Sequence, residues 1–209
     1  MTQLFLIRHG ETAWNRKKRY QGQTDISLTQ DGRDQARDMA RALKSVKIDM
    51  IYSSSLKRAR QTALILSKEV GVRPVWDARL RELHFGAWEG RTAEQLRSRK
   101  DPVFLKWQRG NFVTPTGGES MASLRKRIRS FLKSILSKAN GKQVVVVSHA
   151  GPMKVLIFES LKLPLRSLWS MQIDPASISM LSFHKHFVQM NYLNAVVPPK
   201  GTALQVFRK

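Results

Sequence analysis

The chain has 209 residues, 42% of them apolar, enough for one well-buried domain and too many for a disordered one. Lysine plus arginine number 37 and aspartate plus glutamate 15, a net charge of +22, and there is no cysteine. This excludes disulfides, a thiol nucleophile and cysteine-bound zinc; no apolar run approaches the roughly 20 residues of a membrane span, and the four-residue run near the N-terminus is no signal peptide.

In chain order, Leu4–Ile7 reads as a short buried strand that runs straight into Arg8-His9-Gly10. A polar loop, Thr12 to Ser27, follows. A helix then begins near Thr29, a plausible N-cap, with Ala36, Met39, Ala40 and Leu43 on one face. Met50-Ile51-Tyr52 is a second strand. Its trailing serines, Ser53-Ser54-Ser55, are placed to cap a helix carrying Ala59, Ala63, Leu66 and Val70 and stopping at Gly71.

Val75-Trp76 is a third strand, and Arg79 to Gly90 a structured loop rich in aromatics and glycine. Residues 91–116 are helical pieces broken by Pro102 and Pro115. Gly117-Gly118-Glu119-Ser120 opens a long helix with Leu124, Ile128, Phe131, Leu132, Ile135 and Leu136 as its stripe, ending at Asn140-Gly141. Val144 to Val147, four β-branched residues, is the clearest buried strand. Ser148-His149-Ala150-Gly151-Pro152 turns into another helix. Ile178–Phe183 and Phe187–Tyr192 form a closing antiparallel pair, and the last ten residues carry little signal.

Uniformly apolar strands alternating with amphipathic helices are the pattern of an α/β protein. We expect three layers, α/β/α, with a mostly parallel sheet and helices on both faces, as one domain over residues 1–209. Ligands then bind beyond the C-terminal ends of the strands. Two of the best strands end in histidine, at His9 and His149, and a third leads into a helix whose first turn holds Arg58. If these ends are neighbours, two imidazoles and the guanidinium groups of Arg8 and Arg58 meet helix N-terminal amides. That is a pocket for a tetrahedral dianion. A neutral histidine can attack phosphorus, and Gly10 leaves room for backbone to approach the phosphate. Glu82, beside aromatics that can desolvate it, is the candidate proton donor to the departing oxygen.

RHGETAWN, YSSSLKRARQTA, LRELHFGAWEG and VVVVSHAGP, in that order, resemble the four signature blocks of the histidine phosphatase superfamily, in the branch that includes cofactor-dependent phosphoglycerate mutase. The resemblance implies His9 as the nucleophile that becomes phosphorylated, Arg8 and Arg58 as phosphate ligands, His149 as a donor to a phosphoryl oxygen and Glu82 as the acid. Asn15, Gln21, Gly22 and Ala150 join the phosphate- or substrate-binding set. Ser54-Ser55-Leu56 departs from the pattern, where proline or aspartate is commoner in the middle. That change is expected to alter helix entry while leaving Arg58 in place.

The resemblance further implies a metal-independent phosphatase for a small phosphorylated metabolite, similar to α-ribazole phosphatases and phosphoserine-type phosphatases, with no cofactor. A phosphoglycerate mutase is the alternative. Mutases of this family carry a longer insertion with paired arginines, whereas 91–116 is short and has none. From another class, the charge alone would suit a binder of nucleic acid or an anionic surface on an inactive scaffold. No nucleic-acid module is recognisable, so no such partner is expected. The run Arg16-Lys17-Lys18-Arg19 either is solvated or draws in anions. His184 and His186 share a face in a strand or hairpin but do not complete a metal site, so no metal is expected. A cytoplasmic location is expected, a homo-oligomer is left open, and Phe85 and Trp88 are read as packing residues at the pocket mouth.

Overall fold

The computed structural model describes residues 1–197; the weakly patterned C-terminal stretch lies largely outside them. In chain order the elements are β1 (Thr2–Arg8), α1 (Ala13–Arg16), α2 (Gln30–Ala42), β2 (Met50–Ser53), α3 (Lys57–Val70), β3 (Pro74–Trp76), α4 (Ala93–Ser98), α5 (Pro102–Gln108), α6 (Met121–Lys138), β4 (Gln143–Ser148), α7 (Ala150–Ser160), β5 (Ser177–Phe183) and β6 (Val188–Val196). Short 3₁₀ turns lie at Ala78–Leu80, Gly86–Trp88 and Leu165–Ser170.

The strands form one six-stranded sheet in the order β3-β2-β4-β1-β5-β6. The first four are parallel; β5 and β6 close the sheet antiparallel. Successive side chains of a strand point to opposite faces, and both faces here are covered. Leu4, Leu6, Val144 and Val146 pack with Leu124, Ile128 and Phe131 of α6 and with α7. Phe5, Ile7, Val145 and Val147 pack with Met39 and Ala40 of α2 and Ala59, Ala63 and Leu66 of α3. This is why the strands read as continuous apolar runs rather than as alternation. It is the expected three-layer α/β architecture.

The register places the chemistry. Arg8 pairs with Ser148 across β1 and β4, and Ser53 with Val147 across β2 and β4. The His9 amide donates to the Ser148 carbonyl at 3.1 Å, and the Ser54 amide to the Val147 carbonyl at 2.9 Å. Three neighbouring strands therefore end level with one another, and α3 and α7 start from that edge.

Local structure departs from the sequence reading at two places. Within the expected loop 12–27, Thr12 and Asn15 form a reciprocal capping box and start the one-turn α1. The serines do not cap α3. Its N-cap is Leu56, which has no side-chain bond, and the Lys57 amide donates instead to the Asp25 carboxylate at 2.5 Å. A residue 32 positions away does the work expected of a neighbour. His184 and His186 lie in the turn of the β5–β6 hairpin, one of the two placements expected, and the His184 ring stacks on Phe187 at 4.3 Å. Among the described residues, no three histidine, aspartate or glutamate side chains cluster as a metal site would require.

Candidate active site

A cavity of about 240 Å³ opens at the strand ends. Its floor holds Arg8, His9, Arg58 and Glu82, with Asn15, Gln21, Gly22, Ala150 and Gly151 around them. The sequence reading thus gathers here, with one exception. His149 is fully buried and lies behind the floor, its ring centroid 5.0 Å from that of His9.

The His9 ring sits with Nδ1 2.7 Å from the Gly10 carbonyl oxygen. A carbonyl only accepts, so Nδ1 carries the proton and Nε2 keeps its lone pair. Burial, reinforced by the Arg58 and Arg8 charges, holds this imidazole well below the ordinary histidine range, against the opposing pull of its bond to Gly10. His9 is therefore neutral near pH 7, with one basic nitrogen free.

Arg58, fully buried on the first turn of α3, is held at three points. Its guanidinium donates to the Gly22 carbonyl at 2.7 Å, to the Thr24 carbonyl at 2.9 Å and, from Nε, to His149 Nδ1 at 3.2 Å. Two of its five N–H groups remain for a ligand. Burial lowers its pKa to about 10, with Glu82 and Asp25 resisting and Arg8 adding to the fall. Arg8 is fixed by one bond to the Ile173 carbonyl at 2.6 Å, while its buried Nε has no hydrogen-bond partner among the described residues. Two cations are thus pinned side by side with donors to spare. Desolvation and mutual repulsion are costs already present in the fold, so an arriving dianion finds them oriented.

The bond from Arg58 fixes the other histidine. Because His149 Nδ1 accepts, its proton is on Nε2, which donates to Ser54 Oγ at 2.8 Å. The proton expected to reach a phosphoryl oxygen thus has a protein acceptor here. Ser54, which the sequence suggested as part of a helix cap, is instead the end of an Arg58–His149–Ser54 chain. Like His9, His149 is held well below its ordinary range by burial first and then by Arg58, His9, Arg8 and Arg127.

Glu82 faces the cavity between Leu83 and Gly151. Its carboxylate accepts from the Leu83 amide at 2.8 Å and more loosely from the Gly151 amide at 3.4 Å. Arg127 of α6 and Gln23 both donate to its backbone carbonyl, at 3.0 and 3.1 Å. A Cβ at position 151 would stand 2.4 Å from its Oε1, so only glycine leaves this carboxylate in place. Asn15 reaches the cavity while its Oδ1 accepts from Thr12. Gln21 is buried with its Oε1 unpartnered among the described residues, and Gly22 contributes the carbonyl that holds Arg58.

Gly10 has a packing role that the sequence does not announce. A Cβ there would lie 2.2 Å from the Gly32 carbonyl oxygen, so the glycine admits the start of α2. Gly32 faces the Glu11 carbonyl in the same way, at 2.1 Å.

A model of the histidine phosphatase superfamily (branch 1) matches residues 4–196. The chain belongs to this superfamily. It is 35% identical over 182 residues to phosphoserine phosphatase 1 of Hydrogenobacter thermophilus, covering 87% of this chain and 86% of that protein. It is 36% identical over 188 residues to a probable phosphoglycerate mutase GpmB of Photorhabdus laumondii, covering 88% and 86%. Among solved structures it superposes with a TM-score of 0.85 on a mycobacterial glucosyl-3-phosphoglycerate phosphatase complexed with VO3, at 33% identity over 92% of this chain and 98% of that one. A putative α-ribazole-5'-P phosphatase of Escherichia coli gives the same score at 28% identity, over 93% and 96%.

In this histidine phosphatase the sequence reading missed two groups. Glu89 accepts from the amides of Gln23 (3.0 Å), Thr24 (2.9 Å) and Phe85 (3.0 Å), tying the loop that holds Arg58 to the loop that holds Glu82. A Cβ on Gly22, whose φ is +52°, would collide with that carboxylate. The other missed group lies on the outer wall beside Phe85, whose place at the mouth was expected: Tyr20, Trp107, Leu168, Trp169 and Lys154, with Arg19 of the basic run. Arg19 belongs to the basic run but is half-buried at the cavity, donating to the Gly90 carbonyl at 2.7 Å, unlike the exposed Arg16, which pairs with Glu11 and Asp31. Phe85 lines the mouth; Trp88, 1% exposed, belongs to the core beneath it.

Proposed function

We propose that this protein hydrolyses phosphomonoesters of small metabolites through a phosphohistidine at His9. The observation that carries the reading is the floor of the cavity: a neutral imidazole with a free Nε2 beside two buried arginines and a carboxyl group. Arg8 and Arg58 bind the phosphoryl oxygens. His9 Nε2 attacks phosphorus in line, the bond to the ester oxygen breaks, and Glu82 in its acid form gives that oxygen a proton. Water then attacks the phosphohistidine, losing a proton to the Glu82 carboxylate. The P–N bond breaks and inorganic phosphate leaves.

His149 acts behind the site, holding Arg58 through Nδ1. Asn15, Gln21, Gly22 and the Ala150 amide at the start of α7 frame the phosphoryl group. The phosphatase relatives support the hydrolytic outcome. The same reading takes residues 1–209 as one domain, in the cytoplasm, with no nucleic-acid partner despite the +22 charge. Among the described residues, no helix is long and apolar enough to cross a membrane.

The mutase reading has one specific observation in its favour, the similarity to probable phosphoglycerate mutases. Incubation with p-nitrophenyl phosphate in EDTA, then with 3-phosphoglycerate with and without its bisphosphate, separates the two. Phosphate release from both esters is expected. Isomerisation outpacing release, dependent on the bisphosphate, would replace hydrolysis by transfer.

A further inference from the structure

The phosphoryl end of the cavity accounts for Arg8 and Arg58, and Arg19 is tied to the Gly90 carbonyl, but Lys154 is left unexplained. Helix α7 is almost wholly apolar: Pro152, Met153, Val155, Leu156, Ile157 and Phe158 are all buried. It carries two charged residues. Glu159 is paired with Arg125 and Arg129, at 2.5 and 3.3 Å. Lys154 forms no ion pair or hydrogen bond among the described residues. Its ammonium lies over the ring of Trp169, 5.8 Å from the centroid, and it lines the cavity.

Three features argue against a merely solvated lysine. Lys154 is half-buried, and burial holds its ammonium below the ordinary lysine range; the Glu82 carboxylate opposes that fall and the Arg8 charge adds to it. Its position is also set by the helix. Lys154 lies one turn after Ala150, about 6 Å along the same face, and side chains on a helix lean toward its N-terminus. The ammonium therefore leans back toward the N-terminal end of α7, where Ala150 and Gly151 line the cavity. Finally, Arg8, Ala150, Lys154 and Trp169 also line a second pocket, which continues toward Gln172 and Asp174. Lys154 stands where the two spaces meet, so a substrate extending from the first into the second passes it.

We propose that Lys154 is a specificity-determining residue that binds a second anionic group, a carboxylate or a second phosphoryl, on the leaving-group half of the substrate. The proposal rests on the phosphatase reading and narrows it: the preferred esters are those with a second negative charge a few bonds from the phosphate. A partly desolvated, unpaired ammonium gains a charge-assisted bond from such a ligand and gains nothing from a neutral hydroxyl.

The test compares matched esters. 3-Phosphoglycerate and glycerol 1-phosphate differ by a carboxylate in place of a hydroxymethyl group. Propane-1,3-diol bisphosphate and its monophosphate differ by a second phosphoryl. For each pair the readout is the ratio of kcat/KM, from which any general loss of activity cancels. In the unmodified protein at least one ratio is expected to favour the partner carrying the second anionic group by about tenfold or more. Lys154→Met brings that ratio close to one, and Lys154→Arg retains it. Which pair responds tells whether carboxylate or phosphoryl is read. The proposal is overturned if neither ratio departs from one in the unmodified protein, if Lys154→Met leaves the ratios as they were, or if it lowers both members equally. The last outcome would make Lys154 a ligand of the transferred phosphoryl group. Failure of the phosphatase reading looks different: no ester, p-nitrophenyl phosphate included, would be turned over before any substitution.

Discussion

The two halves of the cavity are built by different means. On the floor every working side chain is tied to backbone: Arg58 to the Gly22 and Thr24 carbonyls, Arg8 to Ile173, His9 to Gly10, Glu82 to the Leu83 amide. On the outer wall the contacts are ring against ring. Trp107 and Trp169 meet edge-on at 4.8 Å, Phe112 lies 6.2 Å beyond, and Trp169 is 41% exposed. A hydrogen bond to a carbonyl fixes distance and direction; an aromatic contact fixes little beyond volume. The floor is thus committed to one chemistry, while the wall can change residue by residue and with it the leaving group.

The comparison can be broken at several points, and the largest effect belongs to the nucleophile. His9→Ala should reduce turnover of p-nitrophenyl phosphate by about a thousandfold or more. It should also abolish the acid-labile phosphoenzyme trapped by rapid quench; a variant that still forms that species would move the nucleophile elsewhere. Next comes the acid. Glu82→Gln should cost about 10²–10⁴ in kcat with alkyl phosphates and much less with p-nitrophenyl phosphate, whose leaving group needs no proton. Equal losses on both substrates would remove Glu82 from that role.

A smaller effect, on stability rather than rate, tests how tightly the floor is built. Gly10→Ala places a methyl group against the Gly32 carbonyl and should lower stability by about 1–3 kcal/mol, read from the denaturant midpoint. Acid sharpens the same point. Both buried histidines have pKa values well below 6.5, so the unfolded chain takes up more protons than the folded one as pH falls. Their contribution to stability is complete above the unfolded value near 6.5 and shrinks as pH falls below it. The unfolding midpoint should therefore drop on acidification through pH 6 while kcat/KM shows no loss attributable to His9 protonation there. The smallest effect is on the wall: Trp169→Ala should change KM by only a few-fold, with kcat nearly constant. If instead it lowers kcat as Glu82→Gln does, the division between floor and wall is wrong.

Much of the floor was legible because its residues sit at strand ends and the strands announce themselves. An apolar run interrupted by Arg8-His9, and a second interrupted by Ser148-His149, mark two ends that a parallel sheet must bring to one edge. The wall was not legible. Trp107, Trp169 and Lys154 lie on helices and turns whose packing angles decide what they face, and their local pattern is that of ordinary core and surface. Nor were the supporting contacts. Ser54 reads as a helix cap, and Glu89 carries no signal of its own, until their partners are known.

By itself the amino-acid order determined the strands and helices, through the period of their apolar residues, and the inventory of groups able to handle a dianion. Only the folded molecule decided how those groups are held: Arg58 by carbonyls 34 and 36 residues away, His149 by a serine 95 residues away, α3 capped by Asp25 from 32 residues away. The reason is physical. Periodicity is a local property that neighbouring residues impose on one another, whereas the partner of a buried donor is set by which distant loop the sheet register delivers to it, and no short stretch of chain carries that information.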